Sequence, residues 1–344
     1  MSSLSSVMRK QKQSIMRQTL PVLVLAVGFL FQLAVGSVVY AATKPDTSRK
    51  SSLAKAKPSQ DLKLIHVTGP VYAIVGPLGD RTAENLGNNA TFGFVVTPQG
   101  TVVIDPGGTY KGAQKIHQLI KQVSPSPIKY VINTGGQDHR FLGNDYFKKQ
   151  GARVIASNDA VKDQKSRLNE ILIRLGNTAG DKAMKNTHES YADITFADKY
   201  QFKLGDIDFV ITHPSGAHSP GDSFVWIKKY KTVFTGDIVY TQRMLSMMSF
   251  SNSRNWIQAY EAVAGLRAQH VVPGHGAPTD MKIANRDTYS YLTSLRQKVG
   301  EFMAAGGDIA DVSKIDQSKY QYLANYDALK GRNVQKIFQE MEFE

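Results

Sequence analysis

The sequence predicts an α/β (α+β) protein in which two β-layers are covered by helices. Short β-rich runs, each closed by Gly, Pro or Asn, recur from Asp61 onward. Hairpin patterns occur in the first half of this region and again in the second, and each set is followed by segments with apolar residues at helical spacing. Sheets and helices that have one apolar face bury it by stacking in layers. No fixed-period repeat stands out, so we interpret residues 61–344 as one domain.

The individual elements follow from turn and periodicity signals. The turn at 98–100 separates the apolar runs 91–97 and 101–104, which indicates a hairpin. After the two glycines that follow this hairpin, apolar residues recur at helical spacing up to about Val123. By the same signals we predict strands at 71–75, 91–97, 101–104, 130–133, 153–156, 202–204, 209–212, 224–227, 232–235 and 270–272. We predict helices at about 109–123, 144–150, 158–190 and 255–267, with a mainly helical tail from Ile283.

The composition is that of an ordinary globular protein. Of the 344 residues, 42% are apolar and 21% are charged, which excludes disorder, coiled coil and collagen as its main class. The absence of cysteine excludes disulfides, zinc–thiolate sites and cysteine nucleophiles, so His, Asp, Glu or neutral oxygen atoms would have to hold any metal. The formal net charge is +13, but the basic residues of the body are scattered and match no nucleic-acid motif. We therefore expect no nucleic-acid partner.

Residues 1–41 have the pattern of a secretory signal. Basic residues without any acid precede an almost uninterrupted apolar run at 20–40, and Val39-Tyr40-Ala41 resembles a small-x-small cleavage site. The run is also long enough to span a bilayer, so the alternative is an uncleaved N-terminal membrane anchor, with membrane association through residues 20–40. We expect a periplasmic or otherwise exported protein, or one anchored in the inner membrane. Residues 42–60, rich in Lys, Ser and Pro, are predicted to be a flexible linker.

Four loops combine His or Asp with glycines directly after predicted strands. They span residues 133–139, 216–222, 234–237 and 272–276. Imidazole and carboxylate groups suit Zn²⁺ or a similar divalent ion, which polarises a carbonyl and generates hydroxide near neutral pH. A single His in a Gly-rich turn, or a single Asp after a strand, is more often a turn-forming or hydrogen-bonded residue. The prediction of a metal site therefore depends on all four loops occurring in this order on this strand pattern.

On these motifs, the chain from about residue 61 to its C-terminus resembles the metallo-β-lactamase-fold hydrolase superfamily. The hairpin that ends at Asp105 looks like the opening hairpin of the family. His218 matches its third metal-binding histidine, Asp237 its bridging aspartate and His275 its last histidine. The resemblance implies an αββα sandwich of two mixed β-sheets, with helices on the outer faces and the site at one edge of the sheets.

A narrower resemblance concerns two further motifs. Residues 240–245 and 331–334 are similar to exported bacterial members of the superfamily that are associated with sulfur-oxidation and quinoprotein systems. This implies an exported redox partner. It supports a reaction class better than a particular substrate.

The first metal-binding loop departs from the family pattern H-x-H-x-D-H, because residues 135–140 read Gly-Gly-Gln-Asp-His-Arg. Counted without a gap, Gln137 takes the place of the second histidine, His139 that of the aspartate and Arg140 that of the final histidine. With a one-residue deletion before Asp138, the Asp138-His139 pair corresponds to the family's Asp-His pair instead. The gapped register explains why Asp and His remain adjacent, and the ungapped register preserves the loop length; we favour the gapped register for the chemistry. Neither register leaves a full two-metal centre.

Two functions are compatible with this altered loop. The first is an exported, metal-dependent hydrolase that cleaves an ester, thioester or amide-type bond of a small-molecule substrate at a single zinc ion. A carboxylate that is not needed as a ligand, Asp138 or Asp237, would act as general base. The candidate metal ligands are Asp138, His139, His218, Asp237 and His275. The second is a non-catalytic ligand-binding or accessory protein of an exported redox system, in which Arg140 fills the vacated metal space by pairing with Asp237 or Asp138.

Overall fold

The computed structural model describes residues 59–344. The predicted signal or anchor at 1–41 and nearly all of the predicted linker at 42–60 lie outside the described residues. Within the part of the chain that is described, no helix is both long enough and apolar enough to cross a membrane.

The first sheet has seven strands in chain order, from β1 to β7. The pairs from β1 to β4 are antiparallel and the pairs from β4 to β7 are parallel, so the sheet is mixed. The strands are β1 (Lys63–Thr68), β2 (Val71–Val75), β3 (Thr91–Thr97), β4 (Gly100–Ile104), β5 (Ile128–Ile132), β6 (Arg153–Ser157) and β7 (Ile194–Phe196).

The second sheet has five strands in the order β12-β11-β10-β9-β8. It is antiparallel except for the pair β11 and β12, which run parallel. The strands are β8 (Lys199–Leu204), β9 (Ile207–Thr212), β10 (Phe224–Ile227), β11 (Thr232–Phe234) and β12 (His270–Val272).

Helices cover the outer faces of both sheets. The α-helices are α1 (Tyr110–Lys121), α2 (Asp138–Phe141), α3 (Asn144–Lys149), α4 (Asn158–Ser166), α5 (Leu168–Met184), α6 (Ser253–Gly265), α7 (Met281–Ala284), α8 (Ser290–Ala304) and α9 (Tyr326–Met341). One π-helical turn, Asn285–Tyr289, joins α7 to α8. Short 3-10 turns lie at Lys228–Tyr230, Gly236–Ile238, Ile309–Lys314 and Ser318–Tyr320.

Three apolar clusters define the layers. Val102 of the first sheet and Phe209 and Val225 of the second belong to one buried cluster between the sheets. A second cluster joins the outer face of the first sheet to α1 and α3, and a third joins the second sheet to α6, α8 and α9. Gly93 allows the sheets to approach closely, because a Cβ there would collide with the ring of Phe234. The predicted αββα sandwich of two mixed sheets is confirmed.

Two details of the element prediction are corrected. The edge strands β1 and β7 were not predicted, because each pairs with one neighbour and is partly exposed, so neither has a continuous apolar run. The segment predicted as one helix at 158–190 forms two helices, α4 and α5, and α5 ends at Met184. Gly180, with φ of +76°, interrupts α5. Of the apolar residues at helical spacing in this segment, Ile171 and Leu175 are buried, whereas Leu168 and Leu172 are partly exposed.

The four predicted His and Asp loops all follow strand ends, as the sequence indicated. The loop at 133–139 follows β5, the loop at 216–222 joins β9 to β10, and the other two follow β11 and β12. Because β4 and β5 run parallel, as do β11 and β12, their carboxyl ends meet at one edge of the sandwich. The candidate site lies there.

Candidate metal centre

Three buried side chains form a group that could hold one metal ion. His139 lies on α2, Asp237 in the turn after β11, and His275 three residues beyond β12. One ligand atom from each of the three lies within 4.8 Å of the others. His139 Nε2 is 3.4 Å from Asp237 Oδ2, and His275 Nε2 is 3.4 Å from Asp237 Oδ1. The aspartate therefore stands between the two imidazoles.

His275 presents a lone pair to this group. Its Nδ1 lies 2.9 Å from the backbone oxygen of Asn89, which can only accept, so Nδ1 carries the proton. Arg243 Nη1 is farther from the same nitrogen, at 3.3 Å. Burial holds the pKa of His275 well below its usual value, so the ring is neutral and Nε2 is an acceptor. Two acceptors, His275 Nε2 and Asp237 Oδ1, therefore face each other, and a cation between them would resolve the repulsion.

His139 is held by two groups that make opposite demands on its Nδ1. Asp138 Oδ1 lies 3.0 Å away and accepts a proton, whereas Arg81 Nη2 lies 2.7 Å away and donates one. Arg81 also holds the pKa of Asp138 well below its usual range, against the opposing effect of burial. With the proton on Nδ1, the Nε2 atom is free for a metal. This Nε2 is buried and has no hydrogen-bond partner, which fits a missing ligand.

Arg140 already supplies one fixed cation beside Asp237. Its guanidinium is fully buried, and all five of its N–H groups donate. Two bonds reach Asp237 at 2.8 and 3.3 Å, one reaches Asp105 at 2.7 Å, and the others reach the backbone oxygens of Thr91 and Gly274. The predicted pairing of Arg140 with Asp237 is confirmed, whereas Arg140 does not bond Asp138. The residues present fit one metal ion next to a permanent guanidinium.

The other half of the family's two-metal site is replaced by hydrogen bonds. The Gln137 amide nitrogen lies 2.8 Å from His218 Nε2, and its Oε1 accepts from Arg174 Nη2 at 3.2 Å. Burial lowers the pKa of His218 to about 4, so this ring is neutral and its Nε2 accepts from Gln137. A Cβ at Gly135 would lie 2.6 Å from Asp222 Oδ1, so a histidine at this position, where the superfamily pattern has its first one, would require Asp222 to move.

The structure brings together three of the five predicted ligands. The group of His139, Asp237 and His275 does not include Asp138, which lies behind His139, or His218, which bonds Gln137. The contact between Gln137 and His218 is the one that the ungapped register implies, because it pairs the positions of the second and third histidines. The gapped register, which would make Asp138 a ligand, has no such contact to support it.

A cavity of about 310 Å³ opens in front of this group. His139, His218 and His275 line it, whereas Asp138 and Asp237 do not. Gln137 of the altered loop also lines the cavity, together with polar residues for which no site role was predicted, namely Asp80, Arg81, Arg174, Thr178, Tyr240, Arg243, Ser246, Asn325 and Arg332. A signal existed for some of them, because Tyr240, Arg243 and Arg332 fall within the two motifs that supported the narrower resemblance.

Comparison with known proteins agrees with this fold. The model of the metallo-beta-lactamase superfamily matches residues 87–275, which include every predicted ligand. The chain belongs to the metallo-β-lactamase superfamily. Members of this superfamily usually bind zinc.

Individual relatives are distant. The metallo-beta-lactamase type 2 of Elizabethkingia meningoseptica is 24% identical over 210 residues, which cover 60% of this chain and 76% of that protein. A metallo-beta-lactamase from Pontibacter korlensis has a similar structure, with a TM-score of 0.53, 21% identity, and coverage of 68% of this chain and 99% of that chain. The inverting sec-alkylsulfatase Pisa1 from Pseudomonas sp. has a TM-score of 0.62 and 14% identity. That match covers 81% of this chain and 50% of the sulfatase. These likenesses show the fold, and the link to sulfur-oxidation and quinoprotein members stays a prediction.

Proposed function

We propose that the chain is a metal-dependent hydrolase whose single zinc ion is held by His139, Asp237 and His275. The observation that supports this proposal is the pair of facing acceptors, His275 Nε2 and Asp237 Oδ1, at 3.4 Å. Two imidazoles and one carboxylate are a ligand set used by catalytic zinc, which keeps a further position open. The cavity in front of the group gives a small-molecule substrate access to that position.

When bound, the ion would polarise a carbonyl and lower the pKa of a water molecule, as cleavage of an ester, thioester or amide requires. The chain's own residues hold the ligands in place. The carbonyl of Asn89 orients His275, and the ring of Tyr240 stacks on it at 4.6 Å. Asp138 orients His139 from behind, in the manner of a carboxylate–histidine–metal arrangement.

The general base is a separate question. Asp138 and Asp237 were predicted for this role, and both are buried carboxylates with pKa values held well below the usual range. Nearby arginines lower these values, Arg81 for Asp138 and Arg140 for Asp237, against the effect of burial. A base of low pKa takes up a proton weakly. With Asp237 assigned to the metal, Asp138 is the carboxylate left for the role of general base, and this role stays a prediction.

The second candidate is a non-catalytic ligand-binding protein on the same fold. The bonds of Arg140 favour it, because a guanidinium with five satisfied donors stabilises Asp237 without any metal. In that case the three-residue group would be a polar wall of a binding pocket. For both candidate functions we also propose that residues 1–41 direct export of the protein and that it has an exported redox partner.

Zinc content separates the two candidates. We expect the purified full-length protein, exposed to zinc and desalted, to retain about one ion per chain by elemental analysis. His275→Gln and His139→Gln should each lose it while keeping a native circular dichroism spectrum. His188→Gln, at an exposed histidine away from the cavity, is the matched control and should retain zinc.

Each outcome has a definite meaning. Zinc retention with hydrolysis in an ester, thioester and amide screen, both lost in His275→Gln, would support the hydrolase. A folded protein that retains no zinc would contradict it and favour the binding protein. Two ions per chain would contradict the single-ion site, because Arg140 and Gln137 would then have to move aside.

A further inference from the structure

Four arginine side chains line the cavity in front of the candidate metal centre. They come from separate parts of the chain: Arg81 from the loop between β2 and β3, Arg174 from α5, Arg243 from the segment after β11 and Arg332 from α9. Among the described residues that line the cavity, Asp80 is the one carboxylate. The wall is therefore strongly positive.

These arginines have too few counter-charges. Asp138, behind the wall, serves two of them, since its Oδ2 lies 2.5 Å from Arg81 Nε and 3.8 Å from Arg174 Nη2. Arg243 and Arg332 have no carboxylate oxygen within 4.0 Å among residues 59–344. Arg332 is exposed and donates to the hydroxyl of Ser246, which is neutral.

Arg243 is the member that most needs a partner. It is only 6% exposed, and its Nε is buried without a hydrogen-bond acceptor. Its Nη1 lies 3.3 Å from His275 Nδ1, a nitrogen that already donates to Asn89. A guanidinium cannot escape burial by losing its proton, and a buried charge without a partner is destabilising. Because Arg243 lines the cavity, an anion bound there would supply the missing charge.

We propose that Arg243 and Arg332, supported by Arg81 and Arg174, form a subsite for an oxyanion group of the substrate: a phosphate, sulfate or carboxylate. The planar fork of arginine matches the paired oxygens of such groups. His139 and His275 line the same cavity, so the subsite would place an acidic substrate beside the metal ligands. Met248 and Leu329 offer apolar surface for the rest of the molecule.

This subsite rests on the proposed function in one respect, namely that the bound oxyanion is part of a substrate. Binding of the anion itself requires no metal. It excludes cationic substrates and disfavours neutral ones. The oxyanion is the chemistry shared by phosphate esters, sulfate esters and carboxylic acids, and the arms of the experiment distinguish these three.

The test is isothermal titration calorimetry on the chelator-treated full-length protein with inorganic phosphate, sulfate and acetate, and with chloride as the control for ionic strength. We expect at least one oxyanion to bind with millimolar or tighter affinity while chloride gives no saturable heat. Because each arginine contributes a charge-assisted bond, Arg243→Gln and Arg332→Gln should each weaken binding about tenfold. Arg332 is exposed, so its variant should fold even where the Arg243 variant does not.

Arg254→Gln is the matched control, because Arg254 is an exposed arginine of α6 that does not line the cavity. Saturable heat with none of the three oxyanions, equal heat with chloride, or equal loss in Arg254→Gln and Arg332→Gln would overturn the subsite. The most strongly bound of the three ions identifies the substrate class. Zinc retention without oxyanion binding would overturn the subsite alone, and oxyanion binding without zinc retention would overturn the hydrolase alone.

Discussion

Arg140 donates two hydrogen bonds to Asp237, from Nη2 to Oδ1 at 2.8 Å and from Nε to Oδ2 at 3.3 Å. Both side chains are buried, and Asp237 is also the centre of the candidate metal group. One carboxylate thus has a permanent organic cation on one side and two imidazoles on the other. This arrangement explains how the fold stays stable with fewer metal ligands than its superfamily pattern contains.

Removal of this guanidinium should destabilise the fold strongly. Arg140→Met leaves Asp237 and Asp105 buried without their cation, so we expect the free energy of unfolding to fall by about 3–5 kcal/mol. Urea denaturation with a chelator present measures it. Arg254→Met, at an exposed arginine, should change stability by no more than about 0.5 kcal/mol. Equal stability of the two variants would contradict the role assigned to Arg140.

Replacement of Gln137 by histidine should create a second, weaker metal site. The amide nitrogen of Gln137 lies 2.8 Å from His218 Nε2. Gln137→His therefore places an imidazole next to His218. Two histidines bind zinc more weakly than three protein ligands, so the second ion should appear in equilibrium titration but not survive desalting. Gln122→His, at an exposed position after α1, is the control and should bind no additional ion. A titration that stays at one ion in Gln137→His would show that this space cannot accept a metal.

The buried, neutral His218 should make stability depend on pH. Its pKa is about 4 in the folded chain and 6.5 in the absence of burial, so between these values the unfolded chain takes up a proton that the folded chain does not. The free energy of unfolding therefore falls as the pH drops from 6.5 to 4, by about 3 kcal/mol for this residue at most. His218→Gln should lack this component, so its urea curves should approach those of the wild type at low pH.

Urea denaturation at several pH values, with a chelator present, measures the difference between the wild type and His218→Gln. His188→Gln controls for the loss of a surface histidine. A difference that stays constant from pH 7 to pH 4 would contradict the prediction.

Gly274 should tolerate no side chain, because its neighbourhood is filled by the Arg140 network. A Cβ at Gly274 would lie 2.7 Å from Arg140 Nη2 and would collide with the backbone oxygen of Gly236. We expect Gly274→Ala to cost about 1–3 kcal/mol of stability by overpacking and to reduce zinc retention. Gly265→Ala is the control, because a Cβ there meets nothing within 4 Å at the end of α6. A Gly274→Ala protein as stable as this control would contradict the packing argument.

Most of the fold could be predicted from the sequence because its signals are local. Apolar runs bounded by turns predicted ten of the strands, and the four Gly-rich loops predicted the edge at which the site lies. The edge strands β1 and β7 were not predicted, because a partly exposed strand with one neighbour lacks a continuous apolar run. The motifs around His218, Asp237 and His275 were sufficient for the family, which the comparisons confirmed.

The sequence by itself determined the layered fold, the family and the absence of a normal H-x-H-x-D-H loop. Only the tertiary structure decided how the altered loop is used, because the partners of Gln137, Asp138 and Arg140 lie 81, 57 and 97 residues away in the chain. No local pattern can report that Gln137 meets His218 or that Arg81 holds Asp138, and the structure was needed to decide that Arg140 pairs with Asp237 and not with Asp138. Such contacts depend on which loops the two sheets bring to one edge. The same reason explains why four arginines that are scattered in the sequence meet around one cavity.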